Sequence, residues 1–248
     1  MNLIRRFGML SLVMATALFV FLSAQPVSAT SSTCGISAFK LLQQMSCCAV
    51  KPETYYGKPY LTWQDNPSTT ITINYHTATK PATVTAQYGT ESKPSAYAAT
   101  ASGESWQIPG LEDGRYVNSV QLTGLTPGTV YYFRIGDGNE FSEEYKFRTI
   151  PDTNETIRYA IGGDMLATPT FGELVAGAAA ENVMFFVVGG DLAYDNGDVK
   201  QIDQWNNWFG RWFKNGTTAD GRLMPLVMGI GNHEVNKNKP DAPFEERA

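Results

Sequence analysis

The sequence predicts a two-domain chain, an all-β sandwich followed by an α/β region with parallel strands. Three observations carry this. From Leu61 to about Thr149 the chain is written in short segments alternating at period two and broken by turns. After the polar stretch "TIPDTNET" the grammar changes to apolar strand, helix, apolar strand. Three of the later apolar segments then end the same way, in glycine followed at once by polar residues.

Taken in order, "MNLIRRFGMLSLVMATALFVFLSAQPVSAT" sets Arg5 and Arg6 before an apolar run and small residues, with a cut expected after Ala29. Residues 1–29 therefore read as a signal peptide, and the mature chain as secreted or periplasmic, with no membrane attachment after cleavage. Residues 30–52 form a segment holding Cys34, Cys47 and Cys48. Their spacing matches no zinc motif, and an oxidising compartment predicts one disulfide, from Cys34 to either Cys47 or Cys48. The net charge of −5, without a basic cluster, excludes a nucleic-acid partner.

Residues 53–150 are the predicted sandwich. "KPETYYGKPYLTW" reads as an edge strand packing its rings inward. "TITINYHT", "ATVTAQYGT", "YVNSVQLTGL", "TVYYFRIGDG" and "EYKFRTI" follow as strands, with breaks at Lys80-Pro81, Gly114, Pro127-Gly128 and Gly136-Asp137-Gly138. His76 reads as an ordinary strand residue. "LTGLTPGTVYYFRI" resembles the tyrosine corner of fibronectin type III domains, with Tyr131 or Tyr132 tying turn to strand.

Residues 151–248 are the predicted α/β region. "IRYAIGGD" is a buried strand, "PTFGELVAGAAA" a helix opened by Thr168 and Pro169, and "VMFFVVGGD" a second strand. In "VKQIDQWNNWFGRWFK", Ile202, Trp205, Trp208, Phe209, Trp212 and Phe213 recur at helical spacing, as a core-facing stripe. "LMPLVMGIGNHE" is the third strand. Right-handed crossovers would put all three strand ends on one edge, so that Asp164, Asp191, Tyr194 and the Asn232-His233-Glu234 run converge. Two carboxylates so close repel, and a cation relieves them. Oxygen donors with amide and imidazole suit ferric or ferrous iron, manganese or zinc. A single "GGD" is commonly only a turn; three such motifs at successive strand ends are not.

The order "GGDM", "GGDLAY", "GNHE" resembles the calcineurin-like metallophosphoesterase superfamily. With a β-sandwich ahead of it and Tyr194 after "GDLA", it resembles the purple acid phosphatases within that superfamily. The resemblance implies Fe(III) held by Asp164, Asp191 and the Tyr194 phenolate, and a divalent iron, zinc or manganese ion held by Asp191 and Asn232. It implies His233 as the catalytic residue facing the phosphate of a phosphate monoester, with Glu234 as a structural partner making a loop salt bridge or hydrogen bond. The implied chemistry is acid phosphatase hydrolysis through a binuclear centre. The family's later histidines, including Gly-His-x-His, have no counterpart here. The expected picture is therefore an incomplete α/β metallophosphoesterase domain in a truncated chain that binds metal weakly, is nearly inactive and tends to aggregate.

Two other functions fit parts of the pattern. One is a phosphodiesterase or nucleotidase of the same superfamily, against which Tyr194 argues. The other is a non-catalytic exported binding module with a degenerate phosphatase remnant. A zinc protease is excluded, because "HEVNK" has Lys237 where a second helical histidine is needed.

Overall fold

The computed structural model describes residues 56–235. The expected signal peptide, the three cysteines and the segment after Val235 lie outside the described residues. Among the described residues, no helix is long and apolar enough to cross a membrane.

The first part is β-rich. Strands β1 (Tyr60–Thr62), β2 (Ile71–Thr77), β6 (Tyr116–Leu122) and β5 (Glu104–Gln107) form one antiparallel sheet in the order β1-β2-β6-β5. Strands β4 (Ala99–Ser102), β3 (Thr85–Gly89), β7 (Val130–Gly136) and β8 (Tyr145–Arg148) form a second, in the order β4-β3-β7-β8. Alternation sends Ile71, Ile73 and Tyr75 of β2 and Tyr131, Phe133 and Ile135 of β7 into one shared core. Phe133 and Phe147 sit at its centre, both 0% exposed.

The five strand segments read beyond the edge strand omit β4 and β5. "ATASGESWQ" is small and polar, without the β-branched and aromatic signal of its neighbours. The chain changes sheets there, at Gly103, whose missing side chain leaves room for the Ser119 carbonyl. The tyrosine that ties the turn is Tyr131, whose hydroxyl accepts from the Thr126 N–H at 3.0 Å.

The second part runs β9 (Ala160–Gly162), α1 (Pro169–Ala180), β10 (Phe186–Val188), a short 3-10 turn (Val199–Gln201), α2 (Ile202–Asn215) and β11 (Leu226–Met228). The three strands are parallel, with Ala160, Phe186 and Leu226 in one row and Ile161, Val187 and Val227 in the next. Helix α1 starts where Thr168 accepts from the Phe171 N–H and proline fills the first turn, which needs no donor there. Both helices cover the Phe186–Leu226 face. Phe171 stacks on Trp208 at 5.2 Å, and Trp212 meets Phe186 edge-on at 5.8 Å.

Helix α2 also joins the two parts. Phe209 touches Tyr60 of β1 at 5.0 Å and His76 of β2 at 5.5 Å. Beside them Arg115, only 2% exposed, pairs with Asp113 and donates to Asn206 of α2 at 2.8 Å. Burial first, then the Arg115 charge, lowers His76 to about 4.

Candidate functional site

The loops that follow β9, β10 and β11 meet at one rim and are stitched together by backbone hydrogen bonds. Asp164 N–H donates to the Gly190 carbonyl at 3.2 Å, and Met165 N–H to the Asp191 carbonyl at 2.8 Å. The Asn196 N–H reaches the His233 carbonyl at 2.9 Å. Such close approach of two backbones requires glycine on both sides. Gly190, at φ 103°, lies against Gly231, and a side chain on Gly231 would fall on the Asp191 carboxylate.

Glu234 holds the rim in place. Its carboxylate accepts from the N–H groups of Asp191 at 2.7 Å, Leu192 at 2.6 Å and Gly231 at 2.8 Å. One acid thus satisfies three loop donors from two strand ends, which makes it a hydrogen-bonding partner rather than half of a salt bridge. Asp191 in turn accepts from the His233 N–H at 2.7 Å through Oδ1.

The side chains converge on the same place. The Tyr194 hydroxyl donates to Asp164 Oδ1 at 3.0 Å, linking the loops after β9 and β10. Its ring stacks on that of His233, with centroids 4.1 Å apart. Tyr194 therefore brings the Asp164 carboxylate and the His233 ring together, while the Asp191 carboxylate is held at the His233 backbone N–H. Asn232 stands exposed between Gly231 and His233, and its side chain makes no hydrogen bond among the described residues.

The rim carries backbone strain. Six non-glycine residues among those described have positive φ, and four are here: Asp164 (54°), Asp191 (55°), Tyr194 (62°) and Asn196 (56°). Asp and Asn tolerate this region, whereas a tyrosine in it costs about 1 kcal/mol or more. Strain of this kind persists where surrounding contacts over-determine it, as the Asp164 and His233 contacts do for Tyr194.

Electrostatics follow from the crowding of acids. Partial desolvation, then the hydrogen bond to Asp164, then the charges of Asp164, Asp191 and Glu234 raise the Tyr194 phenol above its usual value. Burial raises the Asp195 carboxyl, partly offset by the Trp205 Nε1–H that donates to it at 3.0 Å.

Two functional residues escape sequence reasoning, Asn196 and Asp195. Asn196 Oδ1 meets His233 Nδ1 at 2.7 Å, while its Nδ2 donates to the Tyr194 carbonyl at 3.2 Å. That second bond fixes the amide so that its oxygen faces the imidazole, and Nδ1 must then carry the proton. The signal was present in "DNG", an Asn-Gly pair that favours left-handed backbone; both residues adopt it, at 56° and 65°.

The donors can be weighed against a metal ion. Among the described residues, no three His, Cys, Asp or Glu side chains gather in a metal-holding group. Asp164, Asp191 and the Tyr194 phenol instead form an all-oxygen set, in which a phenolic proton bridges at 3.0 Å to a carboxylate. Oxygen donors of this kind fit a hard cation, although they are fewer than the roughly four to six that such cations take.

Residues 57–149 match the family described as Purple acid Phosphatase, N-terminal domain. Purple acid phosphatase 15 of Arabidopsis thaliana is 26% identical over 52% of this chain and 28% of its own length. Probable purple acid phosphatase 20 of the same plant is 31% identical over 49% of this chain and 26% of its own. An uncharacterized protein of Mycobacterium tuberculosis is 27% identical over 72% of this chain and 36% of its own. The chain thus spans between 26% and 36% of the length of the curated relatives it matches. A solved structure titled "Structure of PhoD" aligns at a TM-score of 0.48 and 16% identity, over 77% of this chain and 41% of that one, a likeness too low to argue from. The chain is a relative of the purple acid phosphatases and carries their N-terminal domain at residues 57–149.

Proposed function

We propose that the rim is the metal- and phosphate-binding edge of an exported acid phosphatase acting on phosphate monoesters. In this reading residues 53–150 are a fibronectin type III-like sandwich, and residues 151–248 belong to a metallophosphoesterase domain. Asp164, Asp191 and Tyr194 hold Fe(III), and Asp191 and Asn232 hold a divalent iron, zinc or manganese ion. The observation that carries the proposal is the linking of three separate strand ends, Tyr194 to the Asp164 carboxylate and the His233 ring, and the Asp191 carboxylate to the His233 backbone N–H.

When bound, the two cations would polarise the phosphoryl oxygens and lower the pKa of a water. The chain's own residues do the rest. Glu234 keeps the Asp191 loop rigid, so that its carboxylate needs no reorganisation to receive charge. Asn196 accepts a hydrogen bond from the proton on His233 Nδ1, so the proton that passes to the leaving oxygen, or donates to a phosphate oxygen, is the second one, carried on Nε2 in the imidazolium form. The Tyr194 ring stacked on His233 fixes the plane in which that exchange occurs.

The test is titration of the 248-residue chain with Fe(III). A visible phenolate-to-iron absorption is expected, and Tyr194→Phe should abolish it. An unchanged band in Tyr194→Phe, or no band at saturating iron, contradicts the proposal.

A further inference from the structure

Helix α2 is tied to the rim by an indole. Trp205 Nε1–H donates to Asp195 Oδ2 at 3.0 Å. Asp195 lies between Tyr194 and Asn196, which both touch the His233 ring, one by stacking at 4.1 Å and the other by the 2.7 Å contact at Nδ1. Both neighbours hold left-handed backbone, at 62° and 56°. Residues with a side chain stay there only where surrounding contacts over-determine them. On the rim side the loop is held by the Asn196 N–H on the His233 carbonyl and by Tyr194 on Asp164. On the far side it is held by Asp195, whose Oδ1 turns back to accept from the Gly197 N–H at 3.4 Å while Oδ2 takes the indole.

The indole is in turn set by the sandwich. Trp205 packs edge-on against Trp208 at 6.1 Å and tilted against Phe209 at 5.9 Å. Phe209 is the ring that meets Tyr60 and His76, and Asn206 accepts from the buried Arg115. Two residues that seat α2 on the sandwich therefore follow Trp205 by one and four positions, and a side chain four positions on lies over the same helix face.

We infer that Trp205 is a positioning residue for His233, carrying the sandwich's hold on α2 through Asp195 to the loop that keeps the imidazole proton on Nδ1. The contacts are continuous: Tyr60 and His76 to Phe209, Phe209 to Trp205, Trp205 to Asp195, and Asp195 through its two neighbours to the ring. The sandwich thereby has a part in the chemistry of the rim without touching it. The inference deepens the phosphatase reading, on which it rests for what His233 does; the placement of the proton stands apart from that reading.

The experiment reads the His233 tautomer by NMR of the ring nitrogens, in the 248-residue chain labelled with nitrogen-15 and free of metal and phosphate. It is run at about pH 9, where an ordinary imidazole is neutral. His233→Gln identifies the signals against those of His76. The proton is expected on Nδ1. Trp205→Phe, which keeps a ring but lacks the indole N–H, should lower the ratio of the Nδ1–H to the Nε2–H form about tenfold, the worth of one hydrogen bond to a charged group. Asp195→Ala cuts the same bond from the loop side and leaves the helix core alone, so it decides the matter where Trp205→Phe does not fold. Asp195→Asn, whose amide oxygen can still accept from the indole, should hold the ratio near its original value. Tyr60→Leu, on the sandwich, should lower the ratio in the same direction and by less. Phe171→Leu loosens the stack on Trp208 without touching Asp195 and should leave it unchanged, with circular dichroism confirming that the variants compared are folded. A ratio indifferent to both Trp205→Phe and Asp195→Ala overturns the inference, as does an equal fall in Phe171→Leu, which would mark general loosening. A ratio indifferent to Tyr60→Leu overturns the sandwich's share in it. With no metal or phosphate present, none of these outcomes turns on the phosphatase reading, whose own test is the iron band.

Discussion

In the sandwich, two four-stranded sheets cover one another; the side chains of β7 alternate between core and exterior, while β2 is buried on both faces from Ile71 to Tyr75. Among the described residues, the parallel sheet has helices over one face only. Its other face carries the row Ile161, Val187 and Val227, with Ile161 71% exposed and Val227 40% exposed, and Tyr159 stacks nearby on Phe185 at 5.1 Å. Parallel sheets are ordinarily buried on both faces. The contrast separates two sources of order. The sandwich is held by burial, whereas the rim of the parallel sheet is held by polar stitching through Glu234 and Asp191, around strands only three residues long.

The largest expected effect tests the first half of that contrast. Phe133→Ala removes a 0% exposed ring packed against Phe147 and Tyr145, and should cost about 3–5 kcal/mol in denaturant unfolding. Ile161→Ser, on the bare sheet face, should change the same midpoint very little. Equal losses at the two positions would erase the distinction.

Next in size is a pH effect at the junction. His76 is lowered to about 4 by burial and by Arg115, so between roughly pH 6.5 and pH 4 the unfolded chain binds a proton that the folded chain refuses. Its contribution is complete above pH 6.5 and is lost as pH falls toward 4, about 3 kcal/mol in all. His76→Phe, which keeps an aromatic ring against Tyr60 and Phe209, should flatten the stability profile across that window. Burial acts against Asp113, but its bonds to Arg115 outweigh this and hold its carboxyl below the usual range, so its own loss comes at still lower pH.

The smallest effect tests the rim. Glu234→Gln turns an acceptor of three N–H groups into a side chain that can satisfy fewer of them, at a cost of about 2 kcal/mol. Hydrogen exchange at Asp191, Leu192 and Gly231 should quicken about thirtyfold, in proportion to that cost, while sandwich amides hold their rates. Acceleration spread over both parts would show that the rim is not a separate cooperative unit.

How much of this could be read from residues alone follows the same division. The alternating strands β2, β6 and β7 and the helix opened by Thr168 and Pro169 announce themselves, because period and capping chemistry are local. Strands β4 and β5 do not, since "ATASGESWQ" is defined by its partners β3 and β6 rather than by its own composition. Period two could not choose between Tyr131 and Tyr132; burial could, through the face each one takes. His76 sits on its strand as an ordinary alternating residue, yet its surroundings come from α2, more than a hundred positions away. At the site, the carboxylates, Tyr194 and His233 were legible because they follow strand ends. Asn196, which fixes the imidazole, was not, because the Asn-Gly pair it belongs to carries only the local signature of a turn.

The central claim is that three loops jointly hold positive charge at one point. Mn2+ added to isotope-labelled protein tests it most directly, through paramagnetic broadening of amide signals. The account predicts that Gly163, Asp164, Asp191, Tyr194, Asn232 and His233 lose intensity together at the lowest manganese concentrations, while β2 and β7 stay sharp. Broadening that begins elsewhere, or that reaches only one of the three loops, would contradict it.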